Sequence, residues 1–168
     1  MRAITLWCGA VALILSLFCG NAFAYDDEFS RPTLKGLKGV HVLVESLKED
    51  IVKAGLNKET IQTDVELKLR LAGIPVLTRE ECVEEPGSPY LYVIAGVLKS
   101  ELCGYIVKLD VEVKQEVRLV RSPAIQKDAA TWSVGGFGRT SDLKGIRECI
   151  KDQVDIFINA YLSVNPKK

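Results

Sequence analysis

The segment YIVKLDVEVKQEVRLVR, residues 105–121, alternates apolar and polar side chains over more positions than an ordinary strand holds. Tyr105, Val107, Leu109, Val111, Val113, Val117 and Leu119 share one parity, and Lys108, Asp110, Glu112, Lys114, Glu116 and Arg118 share the other. A period of two is that of an extended chain, so the segment predicts a strand with one dry face and one charged face. A strand of this kind needs neighbours in a sheet and a cover over its apolar face. A sheet with helices on one side supplies both. The mixed signs on the charged face suit ordinary cross-strand pairing in water. The functional alternative is a long edge offered to a partner strand, with its charges guarding against aggregation.

The rest of the chain supplies the other layers. Val40, Val42 and Val44 predict a strand over 39–47, with His41, Leu43 and Glu45 on its other face. KEDIVKAG reads as a connector holding at most one helical turn. Asn57 is an N-cap flanked by a Leu56–Ile61 staple, and Gly73 is a C-cap followed by Pro75, so a helix lies between. Its buried stripe is Ile61, Val65, Leu69 and Ala72, widened by Leu67 and Leu71. IPVLT reads as a short second strand and REECVEEPGSP as an acidic loop. YLYVIAGVL is apolar on both faces and predicts a central strand. KSELCG and SPAIQKD read as turns on either side of the long strand, and AATWSVGGFG as the last strand. A final helix over 142–164 carries a stripe of Leu143, Ile146, Ile150, Val154, Phe157, Tyr161 and Val164, stopped by Asn165-Pro166. The expected fold is α+β: a two-layer sandwich with a mainly antiparallel sheet of about five strands and two helices on one face, in the order β-α-β-β-β-β-α.

The N-terminus bears on compartment. Residues 1–24 hold one basic residue, Arg2, an apolar run over 4–18, and Ala22-Phe23-Ala24 as a small-x-small cleavage site. That pattern is a secretory signal peptide. The run is shorter than the ~20 residues a bilayer span requires. Trp7 and Phe18 are too bulky to precede a lipidated Cys8 or Cys19. The expectation is a periplasmic protein beginning at Tyr25, with a flexible lead-in over 25–38, a single domain over 39–168 and no transmembrane segment. The remaining chain has 21 basic and 22 acidic residues, a balance that gives no electrostatic case for nucleic acid.

An oxidising compartment raises the question of Cys82, Cys103 and Cys149. Three unpaired cysteines is the simpler reading. If one pair bridges, Cys103 with Cys149 is favoured, because the turn after the central strand and the start of the last helix fall at one end of an up-and-down sheet. Cys82 falls a strand length away, about 30 Å and beyond the roughly 7 Å reach of a disulfide.

The glycines of TWSVGGFGRTSDLKG, residues 131–145, lie where a strand hands over to a helix. A dinucleotide fingerprint needs a third glycine and a following parallel strand, and a P-loop needs Gly-Lys-Ser/Thr; neither pattern is here. The glycines read as a turn out of the sheet through positive φ. A weak anion site at Gly136, Gly138 and Arg139, on a helix N-terminus, is the functional alternative. His41 is the only histidine, so a Ser-His-Asp, Cys-His or zinc arrangement would have to use it, yet it sits mid-strand among valines. Glu80, Glu81, Glu84 and Glu85 lack the spacing of a calcium loop and read as a solvated connection. They also lack an aromatic platform that would favour their use as a sugar-cleaving pair. No cofactor motif is present.

DQVDIFINAYLSVNPKK, TWSVGGFG and VELKLRLAGIPVL together resemble small uncharacterised exported bacterial proteins that place a Thr-Trp-Ser strand before a helix ending near Ala-Tyr-Leu and Asn-Pro. The resemblance covers most of the chain after residue 24. It implies a bacterial envelope setting and carries no catalytic residues. The strand–helix–GIPV arrangement also looks like the accessory α+β domains of envelope assembly proteins, an analogy of fold only. The reading is a non-enzymatic exported interaction module of the cell envelope, its partner another envelope protein. Second comes a small-ligand or anion binder with a pocket near Gly135–Gly138, Trp132 and Phe137. Third comes an enzyme with dispersed residues.

Overall fold

The computed structural model describes residues 20–21, 26–102 and 104–166. The fold is α+β. Strands β1 (His41–Val44), β2 (Tyr90–Ser100), β3 (Gly104–Leu119) and β4 (Ser122–Thr140) form one mixed sheet in the order β4-β3-β2-β1. The β2–β3 and β3–β4 pairs are antiparallel, and the β1–β2 pair is parallel. A two-residue strand, Gly20–Asn21, adds to the outer edge of β4, antiparallel, opposite Phe137 and Gly136. The helices are α1 (Glu49–Lys53), α2 (Lys58–Ala72), α3 (Arg79–Glu84) and α4 (Leu143–Val164).

The long helices cover one face. From β1 to β4 that face offers Val42, Val44, Leu91, Val93, Val107, Leu109, Val111, Val113, Trp132 and Val134, all buried. Against them lie Ile61, Val65 and Leu69 of α2 and Ile146, Ile150, Val154, Phe157 and Tyr161 of α4. Helix α2 is bounded as its caps foretell. Asn57 Oδ1 accepts the Thr60 N–H at 2.8 Å, and Gly73 takes a left-handed φ of 76°. Leu67 and Leu71 fall outside its stripe and are exposed. Asp142 caps α4 through the Gly145 N–H at 2.8 Å.

Several expectations need correction. IPVLT makes only one parallel bridge, Val40 to Val76, because Pro75 has no N–H to donate and the chain turns at once into α3. The acidic loop is that helix: Thr78 accepts the Glu81 N–H while the Glu81 carboxylate accepts the Thr78 N–H. SPAIQKD is not a turn. The chain reverses at 120–121 and Ser122 already faces Leu119, so β3 and β4 form a ribbon that outruns the helical layer and leaves Val117 and Leu119 half-exposed. Pro123 is tolerated there because β4 is the edge of the four-stranded sheet.

The lead-in over 25–38, expected to be flexible, is tied down from residue 26. Leu34 is fully buried, Tyr161 Oη donates to the Leu37 carbonyl at 2.6 Å, and Asn165 bonds both the Leu34 carbonyl and the Gly36 N–H. Asp26 accepts from Trp132 Nε1 at 3.0 Å and from Arg31 at 2.6 and 2.7 Å. Neither is the glycine run a turn. Gly135, Gly136 and Gly138 lie inside β4, and none has positive φ. A Cβ at Gly135 would collide with Asp110 Oδ1 and lie 2.6 Å from the Leu109 carbonyl oxygen. The residue is small because its neighbour strand fills the space.

Candidate functional site

With both long helices on one face, the other face of the sheet has no long helix over it, and only the short α3 borders it at one corner. Residues of one parity point there: His41 and Leu43 from β1, Tyr90, Tyr92, Ile94 and Leu98 from β2, Ile106 to Lys114 from β3, and Gly135 and Phe137 from β4. Their register aligns them in rows such as Leu43–Tyr92–Glu112–Ser133 and Leu98–Ile106–Arg139. YLYVIAGVL, expected from its two apolar faces to be a central strand, is central, and its buried side chains are those facing the long helices.

The face has three zones. At its apolar corner Leu98, Ile106 and Phe137 are 53%, 46% and 59% exposed. They line a groove of about 290 Å³ over Gly96, with Lys48 and Lys108 at its rim. The middle is polar and aromatic. Tyr90 and Tyr92 pack edge to face with ring centroids 6.2 Å apart, and Lys114 Nζ stands 4.3 Å over the Tyr92 ring. Lys108 pairs with Asp110 at 2.8 Å and Lys114 with Glu112 at 3.6 Å. Tyr92 Oη donates to Glu45 at 3.1 Å and Tyr90 Oη to Asp128 at 2.5 Å. Burial, then the Asp128 and Glu45 carboxylates, hold both phenols above their ordinary range, so they remain donors at neutral pH.

The third zone is a cavity of about 530 Å³ at the opposite corner. His41, Leu43 and Tyr90 come from the sheet, Arg79, Cys82 and Val83 from α3, and Glu116 and 126–128 from the protruding ribbon. Gly87, at φ 80°, turns the chain so that its carbonyl accepts the Glu116 N–H at 2.7 Å, which fixes the ribbon beside α3. Thus His41 and Cys82, far apart in sequence, share one cavity. Their chemistry does not suit a nucleophile pair. Cys82 is buried, its thiol donates to the Pro89 carbonyl at 3.4 Å, and burial pushes its pKa up despite the His41 backbone N–H. His41 Nδ1 lies 3.1 Å from the Leu77 carbonyl, so that nitrogen carries the proton.

The sequence-derived candidates scatter. Gly136, Gly138 and Arg139 lie along β4 rather than around a helix-start loop. The start of α4 already holds the Asp142 carboxylate. Trp132 and Phe137 lie on opposite faces: Trp132 is buried under α4 and Phe137 is exposed. Of the four glutamates, Glu81 closes the α3 capping box and Glu85 pairs with Lys38 at 2.9 Å. Cys103 lies outside the described residues, and Cys149 is half-buried in the second turn of α4. Among the described residues no three His, Cys, Asp or Glu side chains converge as a metal set. The cavity was missed because α3 builds its wall. Its sequence signal was the Thr78-x-x-Glu81 box.

No known protein family, curated protein or solved structure matches the chain.

Proposed function

We propose that this is a non-enzymatic exported protein that acts as an interaction module of the bacterial cell envelope, and that a partner protein lies on the helix-free face of its sheet. The observation that carries the reading is the half-exposed apolar corner of that face. Leu98, Ile106 and Phe137 converge there around a groove floored by Gly96, whose missing side chain leaves room for an inserted one. Apolar side chains gathered on a shallow surface with a charged rim have the make-up of a protein contact. Export rests on the signal-peptide pattern of residues 1–24. Among the described residues no helix is long and apolar enough to cross a membrane.

A photo-crosslinking residue at Leu98, in cells that export the protein, tests the reading, with the same residue at Lys144 on the exposed side of α4 as control. A discrete adduct from Leu98 and none from Lys144 is expected. Equal or absent adducts would refute it.

A second reading, a small-ligand binder, draws on the cavity beside His41. That cavity has apolar walls from Leu43 and Val83 and polar groups converging from Arg79, Tyr90 and Lys127. The site differs from the one expected near Gly135–Gly138. Saturable binding of an anionic apolar dye, 1-anilinonaphthalene-8-sulfonate, that Val83→Asp abolishes without unfolding would favour it. Absence of saturable binding would remove it.

A further inference from the structure

The outer edge of β4 is covered piecemeal by the chain's own N-terminal segment. Thr33 Oγ1 donates to the Thr131 carbonyl at 3.2 Å, so the main-chain edge at Thr131 is taken by a residue that stays with the domain. Further along, Gly20 and Asn21 pair with Phe137 and Gly136. These two residues precede Ala24, after which the signal peptide is expected to be cut. Residues 134–140 carry no proline and a single charge, Arg139, so the usual devices that keep an edge strand from pairing with another chain are sparse there. The strand that covers this edge is therefore one that export would remove.

We propose that loss of residues 1–24 frees the edge over 134–140, and that two copies of the chain then pair there, antiparallel, about a two-fold axis at Phe137. Gly20 lies opposite Phe137, and pairing centred on that residue gives each copy the same seven residues, 134–140. A two-fold pair uses the same residues twice and closes on itself, the commonest form of homo-oligomer. In this register Phe137 faces its own copy as an aromatic cross-strand pair. Arg139 falls opposite Gly135 of the second copy. Over that glycine lies the Asp110 carboxylate, whose Oδ1 occupies the space a Cβ would need. Arg139 is exposed, and among the described residues no carboxylate is paired with it. Arg139 of one copy thus joins the Lys108–Asp110 pair of the other, on the face away from the long helices. Gly136 and Gly138 face each other on the helix side, where absent side chains let the two backbones approach.

Among the described residues the buried ones begin at Ser30, so chains starting at residue 20 or 25 retain all of them. Sedimentation equilibrium on chains 25–168 and 20–168 tests the proposal. The shorter chain is expected to be a dimer. The longer one, which keeps Gly20 and Asn21, is expected to associate at least about tenfold more weakly, a difference of about 1.4 kcal/mol or more. Phe137→Lys and Arg139→Glu in the shorter chain should each weaken the dimer by about tenfold or more. Lys58→Glu, on α2, should leave it unchanged, and circular dichroism should show all variants folded. A monomeric 25–168 chain, equal dimerisation of the two chains, or a dimer indifferent to both edge variants would overturn the proposal. Phe137 lines both sites, so the mass of the Leu98 adduct separates the two readings: a second copy of the chain supports only the dimer, and a different protein supports the partner-binding reading.

Discussion

Phe157→Ala tests whether α4 holds the domain together. Phe157 is fully buried, its ring 5.4 Å from the Trp132 centroid and 6.0 Å from that of Tyr161. Truncating a buried phenylalanine costs about 3–5 kcal/mol, as lost transfer free energy plus the cavity left behind. Two tilted aromatic contacts, worth about 0.5–1.5 kcal/mol each beyond area, place the expected loss in the upper half of that range. With a urea slope of about 2 kcal/mol per molar, the midpoint should fall by about 2 M. The readout is local. In a chain that starts at residue 25, Trp132 is the only tryptophan, and it touches the substituted ring. Lys144→Ala, on the exposed side of the same helix, should stay within about 0.5 kcal/mol of the parent. A loss below about 1 kcal/mol for Phe157→Ala would show that the helix is not packed on the sheet as described.

Further outcomes follow from other contacts. Gly135→Ala forces a Cβ into Asp110 and should cost about 1–3 kcal/mol, whereas Gly96→Ala meets Lys108 Cβ at 3.6 Å and its carbonyl oxygen at 3.7 Å, ordinary contacts, and should be near neutral; paired urea melts check both. Tyr161→Phe removes the bond to the Leu37 carbonyl and should cost about 1 kcal/mol, read in the same melts. The Arg31 hydrogen bond, assisted by Trp132, holds the Asp26 carboxyl below its ordinary value of 3.8. A lowered folded pKa gives stability that is full above the unfolded value and lost as pH falls through the folded one. An acid titration of Trp132 fluorescence should therefore show release of the lead-in below about pH 4, and Asp26→Asn should remove that step.

The elements legible in the sequence were those defined by near neighbours. The caps of α2 lie three residues from their partners, and the alternation of 105–119 reports directly on the faces of β3. What misled were features whose cause lies far along the chain. Gly135 is a glycine because Asp110 sits above it, yet a glycine run out of context reads as a turn. Residues 26–38 look like a polar tail, but their anchors are Thr131, Trp132, Tyr161 and Asn165, on elements folded from the other end of the sequence. The acidic segment over 79–85 was misread for a different reason. Its charge suggested solvent, and the local Thr78–Glu81 box, which decides the matter, was passed over. The helix-free face was half legible. The charged parity of β3 announced it, whereas β2, apolar on both parities, gave no sign of which of its faces lies open.

The most direct test of the partner-binding account is Ile106→Asp, read in two ways on one protein. Ile106 is 46% exposed and lies outside the core. If the helix-free face serves a partner, the urea midpoint should move by less than the equivalent of about 1 kcal/mol, while the Leu98 crosslink disappears from exporting cells. A protein that unfolds readily would show that the face contributes to the core. A crosslink that persists at parental yield would show that the apolar corner is not where the partner binds.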